Sequence, residues 1–236
     1  MQHIDKVYIC HYTPLTDRKS HMIEQAKQYS IDHKLHFVTE FDRENLTPSE
    51  LKKFDTSKLK LCEISLFMKH IACMRYISLS NKTFGVIMED DVIFKDNFIT
   101  NFDAMMNIIP DQFDILYTGF FPFIADYQKS SNKSSPIPDN VPTVGCFKNM
   151  TDIVVFPWTG NNKGTDFYVI SRQCCNIFLD IFDNLHENQQ ISHPIDHYMG
   201  LLLYSKNANV YWSDHEITIH GSWGEGWNKN AKFANS

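Results

Sequence analysis

Three carboxylic acids in a row, Glu89, Asp90 and Asp91, stand between two apolar runs in the stretch Gly-Val-Ile-Met-Glu-Asp-Asp-Val-Ile-Phe at 85–94. Adjacent carboxylates repel one another, and a divalent cation with hard oxygen ligands is a simple way to hold them together. Val86, Ile87 and Met88 form an unbroken apolar run, as expected of a strand covered on both faces. The acids fall where that strand leaves the sheet, and in open α/β sheets ligands bind at this carboxyl edge. The chemistry predicted is a metal site for a phosphate-bearing substrate. The structural alternative is a strand end followed by a solvated acidic turn.

The surrounding elements must carry this cluster. Residues 6–12, rich in β-branched and aromatic types, predict a first strand that Pro14 breaks. Thr16 or Asp17 then caps a helix to about 29, and 35–41 alternates as a second strand. Strand, helix and strand in that order begin a parallel sheet with right-handed crossovers. Arg18 lies in the first turn after strand one, suited to a diphosphate contact or to an exposed helix position. A short helix is expected at 48–54 and a long one at 61–79, with Leu61, Ile64, Met68, Ile71 and Tyr76 facing the core. Glu63 and His70, two turns apart, project from a similar side of that helix.

After the acid cluster, 96–109 reads as a helix stopped by Pro110, and 113–117 as a strand. The segment 126–143 is rich in Ser, Asn, Lys and Pro, which predicts a mobile surface loop. Strands follow at 152–156 and 165–170, then a helix capped by Ser171. Pro194 starts another helix, with Asp196 in its first turn where the dipole favours an acid. A last strand at 216–219 precedes His220-Gly-Ser-Trp-Gly-Glu-Gly-Trp. Its glycines and Trp223 and Trp227 suit a sugar or nucleotide pocket, or equally two core indoles.

The chain has 236 residues and a net charge of -6 at pH 7, enough for a sizeable α/β core. It has no basic stripe, which argues against a nucleic-acid partner. No apolar run approaches a membrane span and the first residues do not resemble a signal peptide, so a cytoplasmic protein is expected, peripheral to any membrane-bound acceptor. A domain cut from a longer chain fits equally well. The six cysteines show no zinc spacing and are expected to be buried free thiols.

Taken together, these pieces resemble glycosyltransferase family 25, which includes lipooligosaccharide galactosyltransferases and collagen hydroxylysine galactosyltransferases. The likeness rests on Val7-Tyr-Ile-Cys-His-Tyr with Asp17-Arg18, on Cys62-Glu-Ile-Ser-Leu-Phe-Met-Lys-His70, and on Val86-Ile-Met-Glu-Asp-Asp-Val. Gly164-Thr-Asp-Phe-Tyr-Val-Ile-Ser171 and Pro194-Ile-Asp196 continue it in the right order. His11, Cys62 and Lys69 depart from the family pattern, which has Asn, Gly and Ser at those places.

The resemblance implies a single GT-A-like, Rossmann-like α/β domain over 1–236 with a mostly parallel central sheet. It also implies a UDP-sugar donor, Mn²⁺ or Mg²⁺, and inverting transfer of a galactose or glucose to a glycan, lipooligosaccharide or collagen-like acceptor. Asp91 is expected as the main metal ligand, helped by Glu89 and His220. Arg18, Glu63, His70, Glu89 and Asp90 are expected on the donor side. A base must take the acceptor proton in a single displacement, and Asp196 is the first candidate with Asp166 second. Trp223 and Trp227 are expected to stack on sugar. The rivals are a non-catalytic glycan- or partner-binding protein and a sugar nucleotidyltransferase. The latter is disfavoured because 11–20 holds no glycine.

Overall fold

The computed structural model describes residues 4–118, 147–148, 153–157, 164–186, 188–213 and 215–221. The expected loop at 126–143 and the two tryptophans Trp223 and Trp227 lie outside the described residues.

Ten strands are described: β1 (Val7–Cys10), β2 (Leu35–Val38), β3 (Phe84–Glu89), β4 (Val92–Phe94), β5 (Ile115–Tyr117), β6 (Phe147–Lys148), β7 (Val154–Pro157), β8 (Phe167–Ser171), β9 (Val210–Ser213) and β10 (Thr218–His220). Eight make one sheet in the order β2-β1-β3-β8-β5-β9-β7-β6. β2, β1, β3, β5, β9 and β6 run one way, while β8 and β7 run against them. The sheet is therefore mixed but mostly parallel in strand direction, as expected. β4 and β10 form a separate antiparallel ribbon.

The helices are α1 (Thr16–Gln28), α2 (Pro48–Leu51), α3 (Leu61–Leu79), α4 (Phe98–Ile108), α5 (Arg172–Asp183) and α6 (Ile195–Ser205). They cover both faces of the sheet. Tyr8, Cys10, Ile87, Tyr168 and Ile170 point to α3, α5 and α6, where Phe67, Phe178, Phe182 and Met199 complete one core. Val7, Ile9, Val86, Met88, Phe167 and Val169 point to α1 and α4, meeting Met22, Phe98 and Phe102 in the other. Burial on both faces is why the strands read as unbroken apolar runs.

Close contacts fix β3 and the ribbon strand that follows it. A Cβ on Gly85 would lie 2.6 Å from Cγ1 of Ile77, so the strand passes α3 at glycine distance. On the other face Gln25 of α1 acts as a short strand mimic. Its Nε2 donates to the Val92 carbonyl at 2.7 Å, and the Phe94 N–H donates to its Oε1 at 2.9 Å. The ribbon that follows the acid cluster is thereby tied to α1.

Several expectations are corrected. The residue preceding α1 is Leu15, which makes no side-chain cap; Thr16 and Asp17 fall inside the first turn. The turn from Tyr12 to Leu15 (Leu15 N–H to the Tyr12 carbonyl, 2.9 Å) already aims the chain into the helix. Leu61, at the very start of α3, is 48 % exposed instead of core-facing. β9 was not anticipated, because four residues between Asn209 and Asp214 show too little periodicity, yet its Trp212 stacks on Tyr117 at 4.5 Å. The described cysteines are all free thiols; Cys10, Cys73, Cys174 and Cys175 are buried as expected, whereas Cys62 is only half-buried. No described helix is long and apolar enough to cross a membrane.

Candidate metal and substrate site

β3 ends at Glu89, and the chain turns through Asp90 and Asp91 before re-entering as β4. β10 pairs antiparallel with β4, setting His220 opposite Val92, and the Gly221 N–H donates to the Asp91 carbonyl at 2.7 Å. This register brings a residue from the far end of the chain against the acid cluster. His220 Nε2 lies 3.6 Å from Asp91 Oδ2. Glu89, Asp91 and His220 each offer a ligand atom, and these atoms all lie within 4.8 Å of one another. Ligands on opposite sides of a small divalent ion stand roughly 4.2 Å apart, so a modest contraction would close the group on one cation.

Asp90 turns the other way. It is buried, and its Oδ2 lies 2.7 Å from His11 Nδ1 and accepts from the Tyr12 N–H at 3.3 Å. Its Oδ1 accepts from Arg18 Nη1 at 2.7 Å. Arg18, also buried, reaches Asp91 Oδ2 at 3.4 Å as well. Asp90 and Arg18 thus lock the exit of β1 and the first turn of α1 to the acid turn. Their donor-side role, expected from sequence, would have to be exercised from inside this clasp.

Asp166 comes into the cluster through β8. The Met88–Phe167 pairing sets it opposite Glu89, whose N–H donates to the Asp166 carbonyl at 2.9 Å. Thr165 Oγ1 donates to Glu89 Oε1 at 2.9 Å. Burial, then the neighbouring Asp91, pushes the Glu89 carboxyl up to about 7, with His220 and the Thr165 hydrogen bond opposing. Burial and the Glu89 charge push Asp166 up to about 7 in the same way. Unfolded Glu and Asp titrate near ~4, so between about pH 4 and 7 the native state binds the extra protons. Stability from this pair is therefore greatest below about pH 4 and is lost as pH rises through about 7. Metal-free protein is expected to lose on the order of 1–3 kcal/mol from these groups between pH 5 and pH 8. Scanning calorimetry checks this: Glu89→Gln should flatten the slope, and Mn²⁺ at pH 8 should restore the melting temperature.

The other anticipated residues fall around this centre. His70 is fully buried behind Glu89, with Nε2 3.8 Å from Glu89 Oε1 and Nδ1 2.9 Å from the Tyr168 hydroxyl. Glu63 lies two turns away at the start of α3, where its carboxylate accepts from the Lys60 N–H at 2.8 Å. The pair is not brought together. Asp196 is partly exposed at the start of α6, and its carboxylate accepts from the His197 N–H at 2.8 Å and the Gly164 N–H at 3.4 Å. Gly164 has φ 109°, a conformation that favours glycine, and it leads directly into Thr165 and Asp166.

Sequence reasoning missed three contributors. His11 and Lys69 stood out only as departures from a family pattern, and Asp42 did not stand out at all. Lys69 is buried and donates to the Glu40 carbonyl at 2.7 Å and to Asp42 Oδ1 at 2.8 Å. Asp42 in turn accepts from the Thr13 N–H at 3.5 Å, so α3 holds the loop after β2 against the exit of β1.

Among solved structures, mouse xyloside xylosyltransferase 1 in its apo form aligns with a TM-score of 0.35 at 11 % identity, covering 81 % of this chain and 67 % of that one. No curated protein matches the chain. Residues 4–199, from before β1 into α6, match the model of glycosyltransferase family 25, described as an LPS biosynthesis protein, and the chain belongs to that family.

Proposed function

We propose that this glycosyltransferase moves a hexose, galactose or glucose, from a UDP-sugar to a hydroxyl of a glycan, with inversion and with a divalent cation. The observation that carries the reading is the convergence of Glu89, Asp91 and His220 at the carboxyl edge of the sheet. Two carboxylates and an imidazole fit Mn²⁺ or Mg²⁺, with the imidazole favouring the transition metal. When bound, the cation supplies positive charge that stabilises the diphosphate leaving group. Arg18 is not free to do so, since it is buried and already engaged with Asp90 and Asp91. The family's description in LPS biosynthesis favours a lipooligosaccharide-type acceptor over hydroxylysine on a collagen-like chain.

In the displacement, the acceptor oxygen forms a bond to the anomeric carbon as the bond from that carbon to the diphosphate oxygen breaks. The acceptor proton passes to a carboxylate. Asp196 suits this step better than Asp166, because it is partly exposed whereas Asp166 is buried beside Glu89. Asp196→Asn is expected to lower kcat by about 10²–10⁴-fold with donor KM nearly unchanged, measured by UDP release with acceptor present. An unchanged kcat would transfer the role to Asp166.

The reading as a whole is tested by calorimetric titration of UDP in Mn²⁺ and then in EDTA. Binding only with Mn²⁺ is the expected result. No binding in either would remove the UDP donor, and tight binding without any donor hydrolysis or transfer would support a purely binding role.

A further inference from the structure

We infer that Tyr168 and His70 form a relay that orients Glu89 from behind, which makes His70 a positioning residue. This rests on the reading of Glu89 as a metal ligand. His70 stands on α3 with no exposed side-chain surface, and its ring stacks nearly parallel to that of Tyr168 at 5.8 Å and 13°. The Tyr168 hydroxyl, 2.9 Å from Nδ1, occupies one ring nitrogen. With that hydroxyl donating to Nδ1, the ring proton resides on Nε2. Nε2 is buried, has no hydrogen-bond partner among the described residues, and lies 3.8 Å from Glu89 Oε1.

A buried polar nitrogen left unmatched is costly, and an apolar side chain would fill the same volume without that penalty. Cys10, held in the same core against Cys73 with the sulfurs 3.7 Å apart, also interacts with His70, but a thiol sulfur is only a weak acceptor beside a carboxylate. Glu89 is the carboxylate within reach. Oε1 of Glu89 already accepts from Thr165, so His70 approaching from the core would hold that same oxygen from a second side. The other oxygen is thereby left for a cation. Partners of this kind behind a ligand fix its orientation, and their loss costs metal affinity more than fold.

The test is direct Mn²⁺ binding, by calorimetry and by the spectrum of the free ion, on the whole chain without substrate. His70→Leu and Tyr168→Phe are expected to weaken Mn²⁺ affinity about 10–100-fold. His70→Gln, whose amide can donate from a similar place, should stay within about 3-fold of the parent. A structural role alone would not separate Gln from Leu in this readout. Should His70→Leu fail to fold, Tyr168→Phe and His70→Gln carry the comparison, since both keep the core filled. Parent-like affinity in Tyr168→Phe and His70→Leu, or His70→Gln as weak as His70→Leu, overturns the relay alone. A parent protein that binds no Mn²⁺ overturns the metal reading and the relay with it.

Discussion

Asp91→Asn should abolish metal-dependent transfer while leaving the fold in place. Asparagine keeps the shape but removes the charge, and the backbone here is held independently by the Gly221 N–H on the Asp91 carbonyl. Arg18 loses its contact at 3.4 Å yet retains Asp90 at 2.7 Å, so no buried cation is left alone. The charge stabilisation supplied by a cation at a leaving group is worth several kcal/mol, so kcat/KM is expected to fall by roughly 10³-fold or more. The measurement is transfer rate against Mn²⁺ concentration, with a melting temperature within a few degrees of the parent as control. Undiminished turnover would sink the assignment of Asp91 as the main ligand.

The largest effect on stability is expected at Lys69, far less conspicuous in the sequence. Lys69→Met fills the space with an apolar chain but leaves Asp42, itself buried, without its cation. Removing one partner of a buried pair costs roughly 3–5 kcal/mol, whereas removing both is often near neutral. For a chain of this size that is a fall of about 6–20 °C in melting temperature. Lys69→Met with Asp42→Asn should recover most of it, because the uncompensated charge is gone. Donor KM should rise in the single variant, since Asp42 also receives the Thr13 N–H beside the exit of β1. A single variant that melts within 2 °C of the parent would show that water already solvates Asp42.

Much of the architecture was legible in the residues. α3 runs over 61–79 as its spacing predicted, β3 delivers the acid cluster to the carboxyl edge of the sheet, and Ser171 caps α5 through the Cys174 N–H. These features depend on near neighbours: apolar period, cap chemistry, and a strand buried on both sides. The same local logic marked Glu89, Asp90 and Asp91 as the chemical centre. It could not divide them.

That division belongs to the tertiary structure. Adjacent residues in an irregular turn have no period to sort them, so what each acid faces depends on what packs around it. Asp90 faces His11, Tyr12 and Arg18 because β1 lies parallel beside β3. Asp91 meets His220 because β10 pairs with β4, and Asp166 meets Glu89 because β8 runs antiparallel to β3. Lys69 became a structural cation because α3 passes over the loop after β2. Sequence determined which elements form and where the charge collects. Long-range register determined which carboxylate turns to a metal and which to a core partner, because strand pairing joins residues that no local pattern links.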